Sequence, residues 1–428
     1  MSNFKMMNQT ELTQWIKACG AELGFDLVGI VHPQSLTAGE ESVETWVSEG
    51  RHGTMRYLEQ FRERRERLER EVGGIRSVIV LGVNYYSSVE RPAFSDQEKD
   101  ACNAGVSKRY PLDAPPAVLQ GRVARYAWGR DYHEVIGQKH AQMIARMKQE
   151  LGAEFRAKSC VDTQALPERY AAVRAGFGFT GKHTNLLSKQ YGPWLFLSEI
   201  VTNRELAEDQ PAQGTCGTCV HCQKVCPTGA LDEDYRMDAR RCIAYLTIEY
   251  KGIIPREMRP QIKDWLFGCD ECLAICPFTA HSQETKWPEL RAEAGAGAAL
   301  NVTELFSLKT NSAYEKRFQG TALLRAGRKQ MLRNACLVLG NSGDERAVPY
   351  LSAALEDPAP LVRLHAAWAL GRFTSQDARE ALERHLALEQ DPEARQEILE
   401  ALLNKGGNGL KPFPTTELPQ VDKDRGVS

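Results

Sequence analysis

Cys216-Gly-Thr-Cys219-Val-His-Cys222-Gln-Lys-Val-Cys226-Pro227 follows a C-x2-C-x2-C-x3-C-P spacing. Short spacers let three thiolates converge on one iron–sulfur cube, while the fourth turns away toward a neighbouring cube. The proline closes the tight loop and redirects the chain. A second copy, Cys269-Asp-Glu-Cys272-Leu-Ala-Ile-Cys276-Pro277, lacks its first member: Leu266 stands there, and Cys242 is the only nearby thiol able to replace it. The crossover assigns Cys216, Cys219, Cys222 and Cys276 to one [4Fe–4S] cluster. It assigns Cys226, Cys242, Cys269 and Cys272 to the other. Zinc also takes four thiolates, but its motifs seldom carry four cysteines in so short a run with a proline after the last. Two clusters this close form an electron relay. Cys19, Cys102, Cys160 and Cys336 stand singly, as small buried hydrophobes do.

A relay needs a terminus. Gly176-Phe-Gly178-Phe-Thr-Gly181 matches G-x-G-x-x-G, but it follows a helix-like stretch, Glu168 to Ala175, where a dinucleotide site would need a strand. With Lys182 the same run approaches a P-loop, except that His183 replaces the Ser or Thr that would hold magnesium. Asp131-Tyr-His133-Glu-Val-Ile-Gly137 is one residue too long for the D-x-H-x-x-G signature of histidine-ligated cobalamin, and a lone histidine at a helix start reads as a cap. Ser159-Cys-Val-Asp162-Thr places a carboxylate just after an apolar stretch and ahead of Leu166-Pro-Glu-Arg169. In a partly dry pocket such an acid gains the raised pKa of a proton donor. A helix cap or an ion pair with Arg169 is the competing account, and both stay open.

The elements that must position these residues form a multidomain chain of α/β and α classes. At 428 residues and 42% hydrophobic content, two or three packed cores are expected. Glu11–Leu23 and Glu134–Leu151 have helical periodicity, the latter with Ile136, His140, Met143, Met147 and Leu151 on one face, the methionines as core filler. Ser77–Val83 and Trp194–Val201 are strand-length, β-branched runs. Arg91–Pro116 reads as a surface loop, and Arg62–Glu71 as a solvated, salt-bridged helix. Asp209–Gly214 resembles a linker, and Ala292–Ala299 another break. Asn334-Ala-Cys-Leu-Val-Leu-Gly340 aligns with His365-Ala-Ala-Trp-Ala-Leu-Gly371 at an offset of 31, the signature of a short HEAT-like stack too small to stand alone. No leader-like apolar region and no apolar run of about 18 residues is present, so a cytoplasmic, non-membrane protein is expected. The net charge of −2 places any nucleic-acid surface in a local patch.

Taken together, the motifs resemble the epoxyqueuosine reductases, iron–sulfur and cobalamin enzymes that finish queuosine in tRNA. The resemblance covers nearly the whole chain. It is carried by Arg125-Tyr-Ala-Trp-Gly-Arg-Asp-Tyr-His133, Cys160-Val-Asp-Thr163, Pro167-Glu-Arg169, Gly176–Lys182, the cysteine module, Arg241–Glu249, Gly268–Cys272 and Arg333-Asn-Ala335. It implies an α/β cobalamin-binding catalytic domain over residues 1–208 and a ferredoxin-like module with two [4Fe–4S] clusters over 209–285. A HEAT-like tRNA-binding domain over 286–405 and a loose tail over 406–428 would follow. Cobalamin would bind base-off, without a histidine ligand. Asp162 matches the family's proton donor, and Tyr85, Arg125, His183, Thr247 and Glu249 fall where the family lines its corrinoid pocket. The family usually has Asn where this chain has His183.

The implied reaction reduces epoxyqueuosine to queuosine at the wobble position of tRNAs for Asp, Asn, His and Tyr. An unidentified low-potential donor feeds the clusters, and the enzyme is a monomer. For the tRNA, Lys309, Lys316, Arg317, Arg325, Arg328, Lys329 and Arg333 face a single acid, Glu315, within residues 309–333. A cobalamin-dependent dehalogenase-like enzyme acting on small molecules, or a ferredoxin-type carrier, are the alternatives. Neither needs both the basic segment and the Asp162 site.

Overall fold

The computed structural model describes residues 7–88 and 119–403. The loop expected over 91–116, Cys102 and the tail over 406–428 lie outside them. In chain order the elements used below are helix α1 (Gln9–Glu22), strand β1 (Leu27–Val31), α2 (Phe61–Val72), β2 (Ser77–Asn84), β3 (Gln120–Val123), α3 (Tyr132–Leu151), β4 (Ala157–Cys160), α4 (Glu168–Arg174) and β5 (Leu195–Thr202). They continue with α5 (His221–Val225), α6 (Ile243–Ile248), β6 (Trp265–Phe267), α7 (Glu271–Ala274), β7 (Ala299–Asn301), α8 (Asn311–Phe318), α9 (Arg328–Ser342), α10 (Val348–Ala354), α11 (Pro360–Leu370), α12 (Gln376–Leu386) and α13 (Pro392–Leu403).

The N-terminal block is a sheet of order β1-β2-β5-β4, antiparallel at every pairing. Every residue of β2 is buried, because both faces of the sheet are covered. On one face Ile79, Leu81 and Val83 meet Leu12 and Ile16 of α1 and Ile136, Met143 and Met147 of α3. On the other, Val78, Val80 and Val201 meet Leu68 and Val72 of α2 and Ala171 and Ala172 of α4. The expected strands, helices and methionine core are therefore present. Asn8 opens α1 with a capping box, its side chain accepting from Glu11 N–H while Glu11 reaches back to Asn8. His140 is enclosed between the hydroxyls of Ser159 and Ser198 at 2.8 and 3.0 Å, and burial pushes its pKa down to about 3, so it stays neutral. α2 carries the expected surface ion pairs, Arg67–Glu71 and Arg70–Glu66 among them. Cys19, Cys160 and Cys336 are buried, as expected for solitary cysteines.

The segment expected as a linker is anchored at its start. Asp209 accepts from Ile30 N–H at 2.7 Å and pairs with Lys17, so the chain enters the cysteine module from a fixed point.

A second sheet, of order β6-β3-β7, draws one strand from each of the three blocks read along the sequence. β3 runs parallel to β6 (Arg122 opposite Trp265) and antiparallel to β7 (Gly121 opposite Leu300). Gly121 permits this: a Cβ there would stand 2.7 Å from Leu266 Cβ. One core, including Val123, Trp128, Trp265, Phe267, Met331 and Leu337, runs through all three blocks. The repeat region packs helix on helix, α9 on α11 and α11 on α13. The repeated glycines explain the closeness: a Cβ on Gly340 would lie 2.8 Å from Ala369 Cβ, and one on Gly371 2.7 Å from Ala401 Cβ.

Candidate active site

After β4 the chain turns sharply at Asp162, whose φ of 52° lies in the left-handed region that Asp tolerates better than most residues. Its backbone N–H donates to Glu168 Oε1 at 3.0 Å, at the first position of α4. Its carboxylate Oδ2 accepts from the Tyr132 hydroxyl at 2.6 Å, with His133 Nε2 at 3.9 Å. Tyr132 is held by stacking on Phe196, centroids 4.4 Å apart and planes 11° from parallel. Asp131 caps α3 by accepting from His133 N–H at 3.0 Å and meets the same ring's Nδ1 at 2.7 Å. The Asp131–Gly137 near-match is thus a helix cap that also orients His133.

Asp162 caps no helix; its polar side-chain partners are Tyr132 and His133. Nor does it sit in the dry pocket that was expected, for its side chain is 59% exposed. The more enclosed acids are Glu199, with no exposed surface, which motif reading passed over, and half-buried Glu168 of the Pro167-Glu-Arg169 motif. Burial raises the pKa of both, and the charge of Asp162 adds to the effect on each. Glu199 had a sequence signal: a carboxylate at an inward position of Leu-Phe-Leu-Ser-Glu-Ile-Val, a strand covered on both faces.

Near enough to Asp162 to feel its charge, Arg325 donates to both oxygens of Glu249 at 2.8 and 3.2 Å and lies 5.8 Å from the Tyr57 ring centroid. Burial raises the phenol pKa of Tyr126, and the charges of Asp162 and Glu249 raise it further. The fold therefore gathers Asp162, Tyr126, Glu249 and Arg325 at one place. Tyr85 packs its ring on Phe196 at 4.4 Å, within the same aromatic wall.

Two other residues expected along a corrinoid pocket are buried. The Arg125 guanidinium is enclosed by the rings of Tyr86, Trp128 and Trp194 at 4.4, 4.7 and 4.6 Å, and its backbone N–H donates to Asp270 Oδ2 at 2.7 Å. Thr247 has no exposed surface; its hydroxyl donates to Ile243 O at 2.7 Å and accepts from Gly268 N–H at 3.0 Å, fixing the loop ahead of Cys269. That burial corrects its placement as a pocket-lining residue. His183 is also buried. Its Nδ1 accepts from Asn185 N–H at 3.1 Å, burial pushes its pKa down to about 4, and its Nε2 has no hydrogen-bond partner.

The eight cysteines lie near one another, and Cys272 feels the charge of Cys242, Cys226 and also Cys222. Cys216, Cys219, Cys222 and Cys276 are near enough for one another's charge to add to the burial that raises the Cys276 thiol pKa. Burial likewise raises Cys272, with Cys242 and Cys226 contributing, and Cys269, with Cys272 and Cys242 contributing. Leu266 lies in the core of β6 with no exposed surface, which is why the second motif lacks a cysteine there. Cys242, at the start of α6, stands near Cys272 and Cys269. Gly176–Lys182 finds its place here too. Gly178 lets the hairpin of Phe179-Thr180 with Leu186-Leu187 close, since a Cβ would meet Leu187 O at 2.0 Å, and Lys182 N–H donates to Cys216 Sγ at 3.4 Å. Among the described residues, no group of three or more His, Cys, Asp or Glu side chains forms a site for a single metal ion.

Comparison with known proteins agrees with this reading. Residues 215–279 match the family model of a 4Fe-4S double cluster binding domain, residues 320–403 that of HEAT repeats, and residues 65–163 that of epoxyqueuosine reductase QueG, DUF1730. The epoxyqueuosine reductase of Xanthomonas campestris is 35% identical over 364 residues, spanning 85% of this chain and 96% of its own. That of Escherichia coli is 34% identical over 366 residues, spanning 86% and 90%. The chain belongs to the epoxyqueuosine reductase family.

Solved structures of the family superpose over most of the chain. An epoxyqueuosine reductase with an epoxyqueuosine-modified tRNA-Tyr stem loop has a TM-score of 0.79 and 28% identity, covering 93% of this chain and all of that one. The Bacillus subtilis enzyme, solved with an aspartate-bearing catalytic loop swung out of its active site, has a TM-score of 0.79 and 27% identity, with coverage of 93% and 100%.

The basic segment expected to meet tRNA divides on inspection. Arg333 has no exposed surface; it donates to the carbonyls of Tyr250, Gly252 and Leu246 at 2.7, 2.9 and 2.6 Å, clamping α6 to α9. Arg328 is buried against Asp357 at 2.5 Å. Neither presents charge to a phosphate, and both are withdrawn from the proposed nucleic-acid surface. Lys309, Lys316, Arg317 and Lys329 are exposed, whereas Arg325 is exposed but engaged by Glu249. A cavity of about 530 Å³ lined by Asn311, Tyr314, Leu324 and Lys329 opens beside this group.

Proposed function

We infer that the protein is an oxidoreductase that reduces epoxyqueuosine to queuosine in tRNA. The carrying observation is the juxtaposition of Asp162, held on Tyr132, with a double-cluster module in a chain of this family. Cys272 lies close enough to Tyr85 for its charge to act on that phenol, so a cluster held by Cys226, Cys242, Cys269 and Cys272 would be the inner one. Cys216, Cys219, Cys222 and Cys276 would hold the outer one, beside the pair of buried Lys182 with exposed Asp234, and it would supply the entry point for a donor's electrons.

Base-off cobalamin is the proposed terminus, and the residues suit it. His183 is neutral and its Nδ1 already accepts, so its orphaned Nε2–H is a buried donor that an amide carbonyl of a corrin side chain would satisfy. An Asn at this position would offer a donor of the same kind, so His183 preserves the function of the residue it replaces. Asp162, Glu249 and Tyr85 complete the surroundings. When bound, cobalamin supplies a low-valent metal centre that accepts the clusters' electrons and delivers them to the epoxide. Asp162 donates a proton to the oxygen as the ring opens.

The test is anaerobic reconstitution with iron, sulfide and cobalamin, followed by a strong chemical reductant and tRNA carrying epoxyqueuosine. Nucleoside mass spectrometry is expected to show loss of one oxygen from the modified base. Unchanged epoxyqueuosine with both cofactors bound would refute the assignment. For the tRNA surface, neutralising Lys309, Lys316, Arg317 and Lys329 together is expected to weaken binding and lower the salt slope by about one per residue removed. Anisotropy titrations over a salt series check this, and an unchanged slope removes these residues from the interface.

A further inference from the structure

Glu199 has no exposed surface, and neither carboxyl oxygen has a hydrogen-bond partner. It lies in β5 opposite Cys160 of β4 and Val80 of β2, on the face that α4 covers. Glu168, at the start of α4, bonds the Asp162 amide. A buried, unpartnered carboxyl is costly to keep, and a hydrophobic residue would fill the position better. A requirement of the reaction accounts for it. Turning an epoxide into an alkene breaks two C–O bonds, forms one C=C bond and releases water. That takes two electrons, which the clusters deliver, and two protons at the same oxygen. Asp162 carries only one proton, so a second must be delivered to it before the oxygen departs.

We propose that Glu168 and Glu199 hold a proton behind Asp162 and reload it between the two proton deliveries. The inference rests on Asp162 being the donor. The first proton passes from the Asp162 carboxyl to the opened oxygen. The second passes from the pair to the Asp162 carboxylate and on to the departing oxygen, leaving the pair one proton short until product leaves. The groups facing the pair are Asp162 on the connecting loop, Arg169 on α4, Cys160 on β4 and Tyr132 on α3. Burial, then the charge of neighbouring carboxylates, raises the pKa of both glutamates, so the pair retains a proton where an ordinary carboxyl has lost it. Both act through Asp162 and are positioning residues.

Two measurements test this. Infrared difference spectra over about pH 5–9 are expected to show a protonated buried carboxyl persisting above the ordinary carboxyl range, lost in Glu199→Gln and shifted in Glu168→Gln. In single-turnover reactions of the reduced enzyme with saturating tRNA, the rate loss in each variant is expected to grow with pH, roughly tenfold larger near pH 8.5 than near pH 6. Absence of that carboxyl band in the native protein, or a rate loss equal at every pH, overturns the proposal in favour of a packing role. Asp162→Asn separates the two levels. If that variant turns over normally, the donor assignment falls and this inference with it. If it is inactive while both glutamate variants follow the native pH profile, the relay alone falls.

Discussion

Asp162→Asn is expected to slow turnover by about 10²- to 10⁴-fold while both clusters remain in place. The substitution isolates the proton. Asn tolerates a φ of 52° nearly as well as Asp, so the turn after β4 keeps its shape. The amide oxygen still accepts from Tyr132, and the backbone bond to Glu168 does not involve the side chain. What disappears is an acidic hydrogen beside the reacting oxygen. The checks are the cluster absorption and EPR signals, expected to match the native protein, and single-turnover conversion of epoxyqueuosine-tRNA. Native-like conversion by this variant would remove Asp162 as the donor.

Cys242→Ala is expected to reduce bound iron to about half and to spare the outer cluster. Cys242 is separated in sequence from its partners, yet the start of α6 brings its thiol to Cys272 and Cys269. Its loss leaves three thiolates on the inner cube, which lies beside the active site. Electrons would then stop at the outer cluster, so turnover is expected to fail even though half the iron remains. Iron and sulfide analysis with EPR of the reduced protein decides it. Loss of both clusters, or of neither, would contradict the ligand sets.

Local chemistry was legible from the chain alone. The cysteine spacing predicted two crossing tetrads, and the gap at Leu266 pointed to Cys242, because short spacers restrict which sulfurs can meet. β2 and α3 were readable from apolar runs and periodicity. The glycines of the repeat marked where α9 and α11 press together. The same local view misjudged charge. Arg328 and Arg333 read as phosphate contacts, since a count of basic residues does not say which face of α9 is covered. One pairs with Asp357, and the other satisfies carbonyls of the segment around α6. Arg325 was grouped with them, but Glu249, far away in sequence, pairs with it.

Sequence by itself determined the metal chemistry and the strands and helices that carry it, because both depend on residues a few positions apart. Tertiary structure alone decided how those parts become one enzyme. The sheet of β6, β3 and β7 joins three stretches of chain into a single core, and its register depends on contacts more than a hundred residues apart in sequence. Burial, which only packing creates, left Asp162 at the surface and enclosed Glu199 completely in the layer behind it, with Glu168 half-buried between them. Charge is costly in that layer, and burial raises the pKa of Glu199 there.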